Sequence, residues 1–120
     1  MQNLAITQFM DDDNVPFLSP KKVGAFLSLQ LADLARGARV HRNTVTSYPH
    51  SPKVQALLRN LLAVRAAASE AFGDEGTAIT WMINEPLAAF RFKTAFALVE
   101  DGRTDDVIAY LDTIASGFVG

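Results

Sequence analysis

From Pro52 to about Phe72 an apolar stripe runs through Val54, Leu57, Leu58, Leu61, Leu62, Ala68 and Phe72, at spacings of three, four and seven. Neither Gly nor a second Pro interrupts it. That period puts the stripe on one side of an α-helix and is wrong for the alternation of a strand. Lys53, Arg59 and Glu70 fall elsewhere on the wheel. Ser51-Pro52 supplies the start, a hydroxyl to cap free amides and a Pro at the first helical position, where no N–H is missed. A helix of roughly 20 residues is about 30 Å long, so the sequence predicts a spine able to carry other elements at both ends. Burial within the chain is the commoner fate of such a stripe, and a self-association face is the alternative.

A second Ser-Pro pair, Ser19-Pro20, opens a helix with Val23, Phe26 and Leu27 on one face. Residues 28–30 break it, and Leu31–Ala38 forms the next helix, with Leu31, Leu34 and Ala35 inward and Gly37 loosening its end. A short third helix is expected from 41 to about 48, anchored by Val45 and stopped by Pro49. A small residue where two helices cross (Ala35) and aliphatic residues that pin the second helix (Val40, Val45) are what a helix-turn-helix requires. The exposed side of that second helix would carry His41, Arg42, Asn43, Thr44, Thr46 and Ser47, with Arg39 in the turn. These are short donors and acceptors plus guanidinium groups, suited to phosphates and base edges in a major groove. The candidate DNA-binding residues are therefore Arg39, His41, Arg42, Asn43, Thr44 and Thr46; the plainer alternative is a three-helix packing unit with a polar exterior. Residues 1–18, with weak periodicity and the acids Asp11, Asp12 and Asp13, read as a flexible arm.

After the spine, Gly73 is a stop and Asp74 can cap a helix carrying Ala78, Ile79, Trp81 and Met82, which Pro86 breaks. Beyond it, Arg91 and Lys93 interleave with Phe90, Phe92 and Phe96. Nucleic-acid stacking would use that pattern; a helix with three Phe inward and two snorkelling cations explains it equally. Gly102 ends this unit. In the last helix Thr104 is the expected cap, Asp105 and Asp106 complement the positive end of the dipole, and Val107, Ile108, Leu111 and Ile114 form the stripe. Gly117 ends it in a left-handed turn. The apolar Phe118-Val119-Gly120 that follows either lies back on the last turn or enters a partner. The chain thus reads as all-α: an arm at 1–18, a helix-turn-helix-like unit at 19–50, a connecting helix at 51–72 and a small helical unit at 73–120.

The charge is unevenly distributed. Residues 20–65 hold eight cations and one acid, residues 66–120 hold three cations and nine acids, and the first nineteen add three acids. A net +7 followed by −6 suggests two halves with different partners, the basic one suited to an anionic polymer. With no Cys there is neither a disulfide nor a thiolate metal site, and a reducing compartment fits. No uncharged apolar run approaches the ~18 residues of a membrane span, and the acids near the N-terminus are wrong for an export signal, so a cytoplasmic protein is expected. No enzyme activity, cofactor or metal is expected. His41 and His50 have no Ser, Cys or metal-ligand arrangement beside them, and residues 73–76 have neither the strand nor the Lys of a phosphate loop.

The run LADLARGARVHRNTVTS, residues 31–47, resembles the Xre-type helix-turn-helix, with Arg39 where that turn usually has Gly. The order Phe72-Gly73, Trp81-Met82, a Pro-containing break, Leu-Val-Glu-Asp-Gly and a closing Ile-x-x-Gly-Phe-Val resembles the toxin-binding domain of the Xre/MbcA/ParS antitoxin family. The resemblance implies an antitoxin of a bacterial toxin-antitoxin system whose partner is a RES-domain toxin, an enzyme that consumes NAD or uses it for ADP-ribosylation. By position it makes Ile114, Gly117, Phe118, Val119 and Gly120 the toxin-binding residues, a plug that occludes the toxin's active site. It also implies a homodimer within a hetero-oligomer, binding operator DNA and repressing its own operon. The alternative is a stand-alone helix-turn-helix transcriptional regulator with a C-terminal dimerisation domain.

Overall fold

The computed structural model describes residues 6–12 and 16–117. Among these the fold is all-α, as the periodicities predict, with seven α-helices and no strand: α1 (Pro20–Leu27), α2 (Leu31–Ala38), α3 (Arg42–Ser47), α4 (Pro52–Phe72), α5 (Glu75–Asn84), α6 (Ala95–Glu100) and α7 (Thr104–Ala115). Two short 3-10 turns, Ile6–Phe9 and Ala88–Phe90, complete it. The chain divides into two compact units, Met1–Arg59 and Asn60–Gly120, with the boundary inside α4.

In the first unit α1 starts as the Ser-Pro pair predicts, the Ser19 hydroxyl accepting from the Lys22 N–H at 3.2 Å. It ends on Ser28, whose φ of 60° is left-handed, while the Leu29 N–H donates to the Gly24 carbonyl at 2.8 Å. A Cβ on Gly24 would lie 2.8 Å from the Leu29 carbonyl oxygen, so this glycine is required by close approach of the chain. At the start of α2 the Gln30 N–H donates to the Asp33 carboxylate at 2.9 Å. Gly37 is buried, as are Leu34, Ala35 and Ala38, and the helix stops at Arg39, left-handed at φ 57°. The core gathers Val23, Leu27, Leu34, Ala35, Val45, Val54 and Leu58; Leu31, expected inward, is half-buried.

The segment read as an arm is folded where it is described. Phe9 and Leu18 are only 2% and 4% exposed, and Phe9 packs against Phe26 at 4.9 Å. The physical reason lies in α4. Gln55, buried within the apolar stripe, accepts from the Leu18 N–H at 2.9 Å and donates to the carbonyls of Leu18 and Pro49 at 2.9 Å each. A buried amide needs such partners, and the end of the arm at Leu18 supplies two of the three.

In the second unit Asp74 caps α5, accepting from the Thr77 N–H at 2.7 Å and its hydroxyl at 2.8 Å. Arg65 and Glu75 pair at 3.4 Å, and Ser69 donates to the same carboxylate at 3.0 Å, tying the end of α4 to the start of α5. Trp81 is half-buried and belongs to a ring cluster, 5.3 Å from Phe72 and stacked 6.5 Å from Tyr110. Two expectations are corrected here. The helix with three Phe inward is shorter: Thr94 caps α6 through the Ala97 N–H at 3.1 Å, and 87–93 is a closed loop, with Phe96 buried, Phe90 half-buried and Phe92 exposed. Thr104 does not cap α7; it is the first helical residue and its hydroxyl is buried with no partner among the described residues, while Arg103 occupies the cap position and pairs with Asp106 at 2.8 Å. Gly117 ends the last helix at φ 73°, as its residue type predicts.

Candidate functional site

The helix-turn-helix candidate comprises α2, the turn 39–41 and α3. Val45 is buried and Val40 half-buried, and the Val40 N–H donates to the Ala35 carbonyl at 3.0 Å, so the turn is fastened to α2 at the small residue singled out for the crossing. Arg39 takes the left-handed conformation that a Gly would adopt without strain, and its side chain is exposed.

The six candidate DNA-binding residues are brought together on this turn and on α3, but they are not equivalent. His41 is the cap of α3: its Nδ1 accepts from the Asn43 N–H at 3.1 Å, so in the neutral ring the proton sits on Nε2. The Thr46 hydroxyl donates to the Asn43 carbonyl at 3.1 Å. Thr44 is half-buried, whereas Arg42 and Asn43 are exposed. With six residues, α3 offers one exposed guanidinium, Arg42, between the cap and the helix end.

The first unit carries seven cations and four acids, net +3. Lys22 pairs with Asp12 at 2.8 Å and Arg36 with Asp33 at 3.3 Å. Lys21, Arg42, Lys53 and Arg59 are exposed and pair with no acid among the described residues. An open cleft of about 350 Å³, lined in part by Lys21, Leu31, Val45, Thr46 and Pro49, adjoins α3. A contact that spacing does not reveal also lies here. His50 Nε2 is 2.8 Å from Asp11, with the ring stacked on Phe17 at 4.2 Å. Thirty-nine residues separate the partners, and nothing local in the sequence marks them.

The second unit has the opposite charge, four cations and nine acids, net −5. On α7, Asp105, Asp106 and Asp112 are exposed, and Ile114 is half-buried near the helix end. Gly117 is exposed; Phe118, Val119 and Gly120 lie outside the described residues. Asp74 has its carboxyl pKa lowered below 3.8, chiefly by the Thr77 backbone N–H and then by the Thr77 hydroxyl, both of which bond the charged form. No group of three or more His, Cys, Asp or Glu able to hold a metal ion occurs among the described residues, and none of their helices is long and apolar enough to cross a membrane.

No family model matches the sequence, and no curated protein matches it. Among solved structures, a chain in the crystal structure of the M. tuberculosis MbcT-MbcA toxin-antitoxin complex is similar, with a TM-score of 0.68 and 21% identity. The match covers 89% of this chain and 99% of that one, so the two share a fold over nearly their whole lengths.

Proposed function

We propose that this chain is the antitoxin of a toxin-antitoxin pair, binding a RES-domain toxin through its acidic second unit and operator DNA through its basic first unit. The observation that carries the reading is the fold shared, over 89% of the chain, with a chain of a toxin-antitoxin complex. The opposed charges of the two units support it, because a cleft that takes a dinucleotide phosphate is basic and complements the net −5 unit. In this reading the end of α7, with Ile114 and Gly117 and the following Phe118, Val119 and Gly120, enters the toxin's active site and excludes NAD from its pocket. The protein acts by occupancy, not turnover.

On the DNA side, Arg42 and Asn43 on α3 supply the base-edge and phosphate contacts, Arg39 a further phosphate contact, and His41 holds the start of the helix in register. Two such units in a homodimer would match a palindromic operator, and binding there represses the chain's own operon. Toxin, antitoxin and operator then share the cytoplasm.

The test measures NAD in bacteria expressing the adjacent open reading frame alone, with the full chain, and with the chain ended after Ser116. NAD should fall with the neighbour alone, recover with the full chain and stay low with the shortened one, provided the latter is folded. A neighbour that stops growth at constant NAD points to ADP-ribosylation. Absence of both toxicity and complex formation favours the second reading, a stand-alone transcriptional regulator, which the turn fastened to α2 and the exposed Arg42 and Asn43 of α3 support independently.

A further inference from the structure

We propose that Phe92 is an anchor for the protein partner of the second unit, presented on the loop 87–93. Leu87 is buried at the root of the loop. Its N–H donates to the Lys93 carbonyl at 3.0 Å, and the Phe92 N–H donates to the Leu87 carbonyl at 2.8 Å. Further bonds run from the Arg91 N–H to Ala88 and from the Lys93 N–H to Phe90, at 3.3 and 3.2 Å, and the Lys93 ammonium pairs with Asp101. The loop is therefore held at both ends and across its middle.

At its tip two successive residues are left-handed, Arg91 at φ 56° and Phe92 at φ 66°. Neither is a residue type that visits this region readily. Phe92 is 70% exposed and makes no ring contact with the described residues, although Phe90, two positions earlier, packs edge-on to Tyr110 at 5.7 Å. The strained backbone opposes folding, and a ring left in water in both folded and unfolded states contributes nothing to offset it. Strain of this kind persists where surrounding structure imposes it and is concentrated at contact sites, and an aromatic beside an exposed Arg is the composition of an interface hot spot. A pre-formed loop also loses little freedom when it docks.

Charge selects the occupant. A nucleic acid stacking on Phe92 would meet a unit of net −5, and a second copy would bring −5 against −5. A protein that is basic overall, with an apolar pocket for the ring and an acceptor for the exposed Arg91 beside it, meets neither obstacle. This inference rests on the antitoxin reading, which makes that protein the toxin.

The full chain and the purified product of the adjacent open reading frame provide the test, with Kd and Tm measured for the wild type, Phe92→Gly, Phe92→Ala and Tyr48→Ala. Phe92→Gly should weaken the complex by at least about tenfold while leaving Tm equal to or above the wild type, since Gly accepts a positive φ. Phe92→Ala should show the same weakening. Tyr48→Ala, which removes an equally exposed ring from the other unit, should leave Kd within about twofold. A Phe92→Gly complex within about twofold of the wild type, a fall in its Tm, or an equal loss with Tyr48→Ala overturns the proposal. A wild-type chain that does not bind the neighbour at all overturns the antitoxin reading and this inference with it.

Discussion

Gly24 and Arg42 show how differently two side-chain positions can matter. Gly24 sits inside α1, where Ala would be the better helix former by about 1 kcal/mol, yet a Cβ there would press on the Leu29 carbonyl oxygen at 2.8 Å. Backbone cannot give way as a side-chain tip does, and overpacking of this kind costs about 1 to 3 kcal/mol. Gly24→Ala should therefore be destabilising by about 1 kcal/mol net, seen as a Tm several degrees lower; a rise in Tm would mean that the turn after α1 relaxes. Arg42 is exposed and not needed for packing, so Arg42→Ala should leave Tm unchanged. If α3 faces DNA, that substitution should weaken operator binding and reduce the slope of log K against log salt by about 1, whereas an unchanged slope would turn α3 away from the phosphates.

The helices were legible wherever a cap or stop residue acts through its nearest neighbours. Ser19, Asp74 and Gly117 perform the roles their types predict, because a cap bonds an amide two or three residues away and needs nothing distant. Asp74→Ala should lower Tm at neutral pH. The Asp74 pKa is depressed in the folded state, so its contribution is present above the unfolded value and is lost as pH falls through the folded one. The gap between variant and wild type should accordingly begin to narrow as pH falls below 3.8 and close only once pH is below the depressed folded value; a gap that does not narrow on acidification would assign the loss to something other than the charged cap. Sequence reasoning failed at α6 and α7. Thr94 and Thr104 are both caps by type, but Thr94 bonds the Ala97 N–H whereas Thr104 lies one position inside its helix, its hydroxyl buried with no partner among the described residues.

Taken whole, the chain joins a unit of net +3 to one of net −5, and the two should respond oppositely to the charge of a partner. Raising salt should slow association of the second unit with a basic protein while changing its dissociation rate little, measurable by stopped flow; an unchanged association rate would remove charge steering from the proposed mechanism. The all-α class, the long α4 stripe and the order of the helices could be read directly from the chain, since period, caps and breakers act within a turn or two of helix. The same reasoning placed Arg42, Asn43, Thr46 and Ser47 on the exposed side of α3, though Thr44, expected with them, is half-buried. It did not reveal that Gln55 ties down Leu18, that His50 meets Asp11, or that Phe92 faces outward while Phe90 packs. Those depend on which side chains distant segments bring within hydrogen-bond or van der Waals reach, interactions too short in range to leave a periodic trace in the sequence and settled only when the packed chain closes on itself.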